Sequence, residues 1–133
     1  MVLVDTNVLI DIATRDAQWY AWSSSHLSAL IGQGDAAINP VIYKELAPAF
    51  ANEADLDTKL LPPRLIVRLP LPYSASFPAA RAFMAYRHSG GLKTSPLPDF
   101  YIGAHAEAEG HQILTRDAVR YRTYFPQVQL ICP

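Results

Sequence analysis

Short apolar runs alternate with helix-length segments along this 133-residue chain, and this alternation restricts its fold more than any other feature. Five runs have the length and composition of buried strands, at residues 2–4, 36–39, 65–69, 112–114 and 128–131. Strands that alternate with helices are typical of a parallel sheet covered on both faces. We therefore predict an α/β fold, a three-layer sandwich whose central, mostly parallel five-stranded sheet is flanked by helices.

Capping residues indicate where the predicted helices begin and end. Asn39-Pro40 has the pattern of an N-cap followed by the first helical residue. Pro98 likewise suits a helix start, and Gly110 suits a helix end. The remaining helices are predicted after Thr6-Asn7, over 53–61 and 75–88, from 117 to about 124, and over 16–32 with Gly32 and Gly34 as its stop.

The composition limits the class of protein. Half of the residues are hydrophobic, which favours one folded domain over residues 1–133. The net charge is −1, so we expect no bulk attraction to nucleic acid or membrane. Residues 1–66 contain four Lys or Arg against eight Asp or Glu, and residues 67–133 contain seven against four. Cys132 stands alone, so no disulfide is expected. The start lacks a basic region and no uncharged run has bilayer-spanning length, so we expect a soluble, cytoplasmic protein.

Four acidic residues stand where a predicted strand ends or a predicted helix begins: Asp5, Glu45, Asp99 and Asp117. Sites in parallel sheets form at the carboxyl ends of the strands, so we expect these side chains to converge there. Two carboxylates about 5 Å apart repel by about 3 kcal/mol at an effective dielectric constant of about 20. A cluster of this kind needs a cation, and oxygen ligands favour Mg²⁺ or Mn²⁺.

Each of these acids also has a structural interpretation. Asp5, Asp99 and Asp117 are all placed where a carboxylate caps a helix, and Glu45 suits the solvent face of one. Asp11, in contrast, is better explained by a structural role beside the site than by catalysis.

Histidines and tryptophans are explained by packing. His105 and His111 are six residues apart and have no accompanying cysteine, which disfavours a zinc site. Trp19 and Trp22 follow a helical spacing that suits a core or a partner-binding surface better than base stacking.

Four local sequences carry a family resemblance. They are VDTNVLID at residues 4–11, NPVIYKEL at 39–46, PDFYIGAHA at 98–106 and ILTRD at 113–117. In this order and spacing they resemble the PIN domain, and especially the VapC-type toxins of bacterial and archaeal toxin–antitoxin systems. The resemblance extends from residue 2 to about residue 131, and the first and last sequences are its most specific parts.

The resemblance implies a metal-dependent endoribonuclease. Asp5, Glu45, Asp99 and Asp117 match the acidic ligands of the family, which hold one or two Mg²⁺ or Mn²⁺ ions. The metal activates a water molecule that attacks the phosphodiester, and it stabilises charge on the phosphoryl oxygens. Asn7 and Thr115 match supporting polar positions beside the first and last acids.

Basic residues near these acids are candidates for contact with RNA phosphates. Arg116 adjoins Asp117, Arg120 follows one helical turn later, and Lys93 lies in the segment 88–98. The Gly and Pro content of that segment suits a substrate-side loop and a plain connector equally.

A toxin also implies partners besides its RNA substrate. A VapB-like antitoxin would lay a helix in an apolar groove and place a basic side chain among the carboxylates. The apolar stripe of residues 19–31 and the helix at 53–61 are candidate groove walls, although a core role explains both. Homodimers are usual in the family.

Three alternatives use a similar sequence pattern. A response-regulator receiver would need a Lys after the last strand, where this chain has Cys132-Pro133, and a haloacid-dehalogenase-like phosphatase would need Asp at the position of Asn7. The third alternative is a non-catalytic PIN-fold module that binds metal, RNA or protein. Four intact acids argue against it without excluding it.

Overall fold

A single parallel sheet forms the centre of the protein. The computed structural model describes residues 1–94 and 97–133. Its strands are β1 (Val2–Val4), β2 (Ala36–Ile38), β3 (Val67–Arg68), β4 (Gln112–Leu114) and β5 (Leu130–Ile131). They are ordered β3-β2-β1-β4-β5, and each neighbouring pair within the described ranges is parallel. This arrangement confirms the predicted α/β fold class.

Helices connect the strands and cover the sheet. They are α1 (Thr6–Ala13), α2 (Tyr20–Gln33), α3 (Pro40–Leu46), α4 (Glu53–Lys59), α5 (Ser76–His88), α6 (Pro98–Glu109) and α7 (Val119–Tyr124). Single 3₁₀ turns lie at Ala47–Ala49 and Tyr73–Ala75. Helix α6 packs against α5, α3 and α7, while α1 packs against α2 and α3.

Side-chain caps set the starts of the helices that follow the central strands. The Asp5 carboxylate accepts the Thr6 N–H at 2.7 Å and caps α1, so the helix starts at Thr6 and not after Thr6-Asn7 as predicted. The Asn39 amide oxygen accepts the N–H groups of Val41 and Ile42, each at 3.0 Å, and Pro40 follows as the first helical residue. This confirms the predicted start of α3, and it holds two polar residues at the carboxyl ends of β1 and β2.

The predicted start of α2 was wrong, and of its two predicted stops, Gly32 and Gly34, only Gly34 ends the helix. The Asp16 carboxylate accepts the N–H groups of Gln18 and Trp19, which makes residues 16–19 a turn, so the helix starts at Tyr20 instead of residue 16. At the other end, Gly32 lies inside the helix. Gly34 ends it in the left-handed conformation at φ 70°, because only that position requires a positive φ.

The two edge strands are shorter than predicted. The N–H groups of Leu65 and Ile66 both donate to the Pro62 carbonyl, and the Val128 N–H donates to Phe125. These turns use the backbone groups that a longer β3 or β5 would need for its ladder. Each edge strand is therefore two residues long.

The core surrounds the central strands, and α6 lies deep within it. Leu3, Val4 and Ile113 are fully buried on the sheet, and Phe100 and Ile102 are fully buried on α6. This burial fixes the first turn of α6, which carries Asp99, relative to the carboxyl end of β1.

No helix in the described ranges combines the length and the apolar character needed to cross a membrane.

Substitution of Gly103 by Ala tests the packing of α6. An added Cβ would lie 2.2 Å from the Phe125 ring, so the core must shift, and we expect the free energy of unfolding to fall by about 1–3 kcal/mol. Chemical denaturation measures this change. Gly32→Ala is the matched control, since its Cβ would meet open space inside a helix and should stabilise the protein slightly. Equal effects of the two substitutions would contradict the packing assigned to α6.

Candidate active site

The strand order reverses between β1 and β4, and the candidate site is built on that reversal. Connections from β1 lead toward β2 and β3 on one side, whereas β4 and β5 lie on the other. Ligand sites in open α/β sheets form in the crevice at such a point. Asp5 and Thr115 are the first residues after the two strands, and the Asp5 N–H donates to the Leu114 carbonyl at 2.9 Å.

Asp5 is a buried carboxylate with three hydrogen-bond donors. The Thr6 N–H donates to Oδ1 at 2.7 Å, while the Thr115 hydroxyl and the Asn7 amide donate to Oδ2 at 2.8 and 3.1 Å. Only 3% of the residue is exposed. Asn7 also joins β4 to this network, because its amide donates to Thr115 Oγ1 and its oxygen accepts the Arg116 N–H. The predicted supporting residues, Asn7 and Thr115, thus both contact Asp5.

Burial gives Asp5 unusual acid–base properties. Burial and, to a smaller extent, the charge of Asp99 raise the pKa of Asp5 to about 6, against the lowering effect of the hydrogen bonds from Thr115 and Thr6. The side chain is therefore mostly ionised at neutral pH, where the charge of Asp99 repels it.

Asp99 connects the other acids electrostatically. Burial raises the pKa of Asp99 and the charge of Asp117 adds to this effect, while Arg120 opposes it. Burial also raises the pKa of Glu45, whose carboxylate accepts the Thr6 hydroxyl at 2.9 Å and is influenced by the Asp99 charge. The structure thus brings Asp5 and Glu45 within electrostatic range of Asp99.

Asp117 lies at the exposed rim of this group. Its backbone N–H donates to Thr115 Oγ1 at 3.1 Å, which fixes the backbone while the residue remains exposed. Arg120, predicted as an RNA contact, forms an ion pair with Asp99, with 3.1 Å between Nη1 and Oδ2. Lys93 is exposed on the segment after α5, and within that segment residues 95 and 96 lie outside the described ranges.

Tyr121 belongs to the site but was missed in the sequence analysis. It is fully buried, and its hydroxyl has no hydrogen-bond partner among residues 1–94 and 97–133. Burial raises the pKa of Tyr121 well above its usual value, and the charges of Asp5 and Asp99 add to the effect. The hydroxyl also lies close enough to Asp5 to lower the pKa of that carboxylate slightly. A helix-face pattern with Phe125 predicts burial of the ring, but no sequence signal reveals its neighbours.

Asp11 anchors Arg116 beside the acids. Arg116 Nε donates to both carboxylate oxygens of Asp11, at 3.1 and 2.9 Å, and the Ser23 hydroxyl donates to the same carboxylate at 2.8 Å. Asp11 is 1% exposed, so this is a buried charge with its partners in place. The guanidinium lies 5.9 Å from the ring centre of Trp19. The predicted structural role of Asp11 thus corresponds to a defined contact.

His105 and His111 are closer than their separation in sequence suggested. Helix α6 ends at Glu109 and the chain turns back into β4, which places the two ring centres 5.4 Å apart. Burial lowers the pKa of both rings, and the Asn39 amide lies 3.1 Å from His105 Nδ1. His105 is buried in the core, and His111 is partly exposed beside it.

The acidic residues match the chemistry of a hard divalent cation. All four offer carboxylate oxygens. The charge of Asp99 raises the pKa of Asp5 and of Glu45, and the charge of Asp117 raises the pKa of Asp99, effects that a bound cation would reverse. Within the described chain no three His, Cys, Asp or Glu side chains are already arranged to hold an ion. Asp99 is paired with Arg120 instead, so an ion would compete with that guanidinium for the carboxylate.

Comparison with known proteins found one matching family model and several solved structures with a similar fold. The family model of the PIN domain matches residues 2–126. Among solved structures, the chain is similar to VapBC2 from Rickettsia felis bound to a promoter DNA fragment, with a TM-score of 0.72 and 18% identity over 99% of this chain and 98% of that one. It is also similar to FitAcB from Neisseria gonorrhoeae, with a TM-score of 0.71 and 23% identity over 98% and 96% of the two chains. A third similar structure is VapBC-1 from nontypeable Haemophilus influenzae, with a TM-score of 0.68 and 15% identity over 99% of this chain and 98% of that one. No curated protein matched.

Asp5→Asn tests how much the buried charge of Asp5 lowers the free energy of unfolding. The pKa of Asp5 is raised from 3.8 to about 6, so the folded state binds the Asp5 proton more tightly than the unfolded state does. The wild-type protein therefore loses stability as the pH rises from about 4 to 6 and this carboxylate ionises. A shift of about 2 units corresponds to about 3 kcal/mol. Without divalent ions, the stability of the Asn variant relative to wild type should improve by about this amount between pH 4 and pH 7.5. Denaturation curves at each pH measure it, and parallel pH profiles would contradict the assignment.

Proposed function

Because the chain belongs to the PIN domain family, we propose that it is a metal-dependent endoribonuclease that acts as the toxin of a VapBC-type toxin–antitoxin system. The observation that carries the proposal is the buried Asp5 carboxylate at the strand-order reversal, held by Thr115 and Asn7 and influenced by the charge of Asp99. A structural cap would not need burial, three donors and a neighbouring acid together. The reaction would be hydrolysis of an RNA phosphodiester.

Asp5, Glu45, Asp99 and Asp117 would hold one or two Mg²⁺ or Mn²⁺ ions. Bound there, the metal would supply an activated water and stabilise the negative charge that develops on the phosphoryl group. The oxygen-only donor set and the unbalanced negative charge around Asp5 support this assignment.

The remaining residues would position the acids and the substrate. Thr115 and Asn7 fix the orientation of Asp5, and Thr6 does the same for Glu45. Arg116 is tethered to Asp11 through Nε alone, which leaves its terminal nitrogens available to an RNA phosphate. Arg120 balances Asp99 and is a second phosphate contact once that carboxylate binds an ion.

The structural relatives support a protein partner. One similar solved structure is a toxin–antitoxin complex from Klebsiella pneumoniae, and we propose a VapB-like antitoxin for this chain in the cytoplasm. Its helix has a candidate seat in a mostly apolar cavity of about 470 Å³ lined by Tyr43, Lys44, Arg68 and Leu69. Of the two groove walls expected from sequence, helix α4 contributes Glu53 to this lining, and residues 19–31 contribute nothing.

A homodimer is the second assembly that we propose. Helix α5 and the turn before it expose large apolar side chains, with Tyr73 97%, Phe77 80% and Met84 60% exposed. Exposed apolar surface of this kind is a common feature of protein interfaces.

One observation favours the non-catalytic alternative. Asp99 already has a cationic partner in Arg120, as it would in a module that keeps the fold and binds RNA or protein without cutting. The two functions differ in whether folded protein cuts RNA and whether cutting requires a divalent ion.

Cleavage of a structured RNA pool in Mg²⁺ or Mn²⁺ tests the enzyme. We expect cutting by wild type that disappears in EDTA and falls at least about 100-fold in Asp5→Asn and Asp99→Asn, because Asn keeps the shape and removes the ligand charge. Asp35→Asn is the matched control, since Asp35 pairs with the N-terminus away from the site. Cutting that survives Asp5→Asn and Asp99→Asn would identify a contaminating nuclease, and folded wild type that does not cut would favour the binding module.

Ion binding is testable without any substrate. Mg²⁺ or Mn²⁺ at about 100 times its Kd should stabilise the wild-type protein by about 2.7 kcal/mol, and should not stabilise Asp5→Asn. Arg120→Met should bind the ion more tightly than wild type, because the guanidinium no longer competes for Asp99. Thermal denaturation at increasing ion concentration measures both effects. An unchanged ion affinity in Arg120→Met would show that Asp99 does not bind the ion.

A further inference from the structure

A cavity beside the candidate acids has no role in the function proposed so far. Its volume is about 330 Å³, and its lining residues are Tyr86, Asp117, Val119, Arg120, Thr123 and Tyr124. Two of them connect it directly to the acidic group, since Asp117 is one of the acids and Arg120 is ion-paired with Asp99. The volume lies at the small end of the range for ligand pockets, so it suits one small planar group.

The aromatic walls of this cavity are fixed to the helix that carries Asp99. Tyr86 and Tyr124 both pack edge-on against Phe100, with ring centres 5.5 and 5.2 Å away at 63° and 80°. Phe100 is fully buried and follows Asp99 in α6. The distance from the rings to the acids is therefore set by one short, buried segment of helix.

The loop after α5 holds Tyr86 in place. Gly91 packs on the ring so closely that an added Cβ would lie 2.3 Å from a ring carbon. The Lys93 N–H donates to the tyrosine hydroxyl at 3.3 Å, and Arg87 donates to the carbonyls of Gly91 and Lys93. A ring held from one face and at its hydroxyl loses little conformational freedom when a ligand packs against it.

We propose that this cavity binds the base of the nucleotide next to the phosphodiester that is cut. The inference rests on the proposed nuclease function and adds a binding site for the substrate. Every base has a flat face that packs on tyrosine rings, and stacking of this kind is sequence-tolerant. Arg120, at the boundary between cavity and acids, then contacts the adjoining phosphate. A base here has to leave its own stack, so the bound nucleotide is unpaired.

An RNA nucleotide matches the cavity better than a protein side chain does. The cavity adjoins the carboxylates that would act on a phosphodiester, and it combines two tyrosine rings with a guanidinium. A nucleotide must place its phosphate at the acids while its base fills the cavity, and the fixed distance between the rings and the acids favours a ligand of that kind. Occupation by a partner protein alone is one outcome of the test below.

Val119→Trp fills the cavity without disturbing the core. Val119 is 72% exposed at the start of α7, and the Thr123 hydroxyl bonds to its backbone carbonyl, which the substitution retains. Val67→Trp is the matched control, because Val67 is partly exposed on β3 at the far edge of the sheet. Tyr86→Leu removes one wall, and Tyr86→Phe keeps the ring as its conservative counterpart.

Cleavage of one short single-stranded RNA, with an abasic residue at each position in turn, tests the site. For wild type and Val67→Trp, an abasic residue next to the cut should lower kcat/KM by about 5- to 150-fold. In Val119→Trp and Tyr86→Leu the intact RNA should be cut more slowly, and the abasic residue should cause no further loss. Tyr86→Phe keeps the ring and loses only the hydroxyl contact with Lys93, so it should retain most of the abasic penalty that Tyr86→Leu loses. If the intact protein cuts RNA and Val119→Trp shows the same abasic penalty as Val67→Trp, the cavity does not bind a base.

A binding experiment separates this inference from the nuclease function. Trinucleotides carrying 2-aminopurine at the first, middle or last position are titrated into Asp5→Asn without divalent ions. Quenching at one position that is lost in Asp5→Asn/Val119→Trp supports the base site even if wild type never cuts RNA. If no position shows quenching and Val119→Trp weakens only the binding of a protein partner, the cavity does not bind a base.

Discussion

The parallel pairing of β1 with β4 is the contact on which the candidate site depends. It places the Asp5 N–H on the Leu114 carbonyl and brings Thr115 to the same end of the sheet as Asp5. Residues that are 110 positions apart in sequence thereby share one hydrogen bond, from the Thr115 hydroxyl to Asp5. The chain places a carboxylate in the interior at this point, and burial raises its pKa. The supporting donors and the neighbouring acids are arranged around this one buried charge.

Asp99 is the acid on which opposing charges act most directly. The charge of Asp117 repels its carboxylate, and Arg120 attracts it through an ion pair. Arg116 plays a different part, since it pairs with the buried Asp11. One arginine therefore moderates the negative charge of the site, and the other holds the segment after β4 against α1.

Local sequence patterns were sufficient to predict the strand and helix ends that position the acids. Strand β1 ends at a capping Asp5, and Asn39-Pro40 starts α3, because each signal depends on neighbouring residues only. The ends of β3 and β5 were predicted too long, since turns formed by the Pro62 and Phe125 carbonyls use the same backbone groups. Gly32 was wrongly predicted as a stop, because glycine is tolerated inside a helix that packing supports.

Contacts between distant segments were beyond sequence reasoning. The Arg120–Asp99 pair joins α7 to α6, and the Arg116–Asp11 pair joins the end of β4 to α1. The Tyr121 hydroxyl has no local signal, since its ring alone explains its place in a helical pattern. These three features depend on how the helices pack over the sheet, which propensity and spacing do not determine.

The brevity of β3 and β5 has a consequence for how this protein meets others. Peptides commonly bind by adding a strand to an open sheet edge, which requires a run of free backbone groups. Each edge here is only two residues long, and turns of the same chain flank it. Few free backbone groups are therefore available for an added strand, which also protects the sheet against edge-to-edge aggregation. Recognition of this molecule is left to side chains on its helices and to the cavities between them.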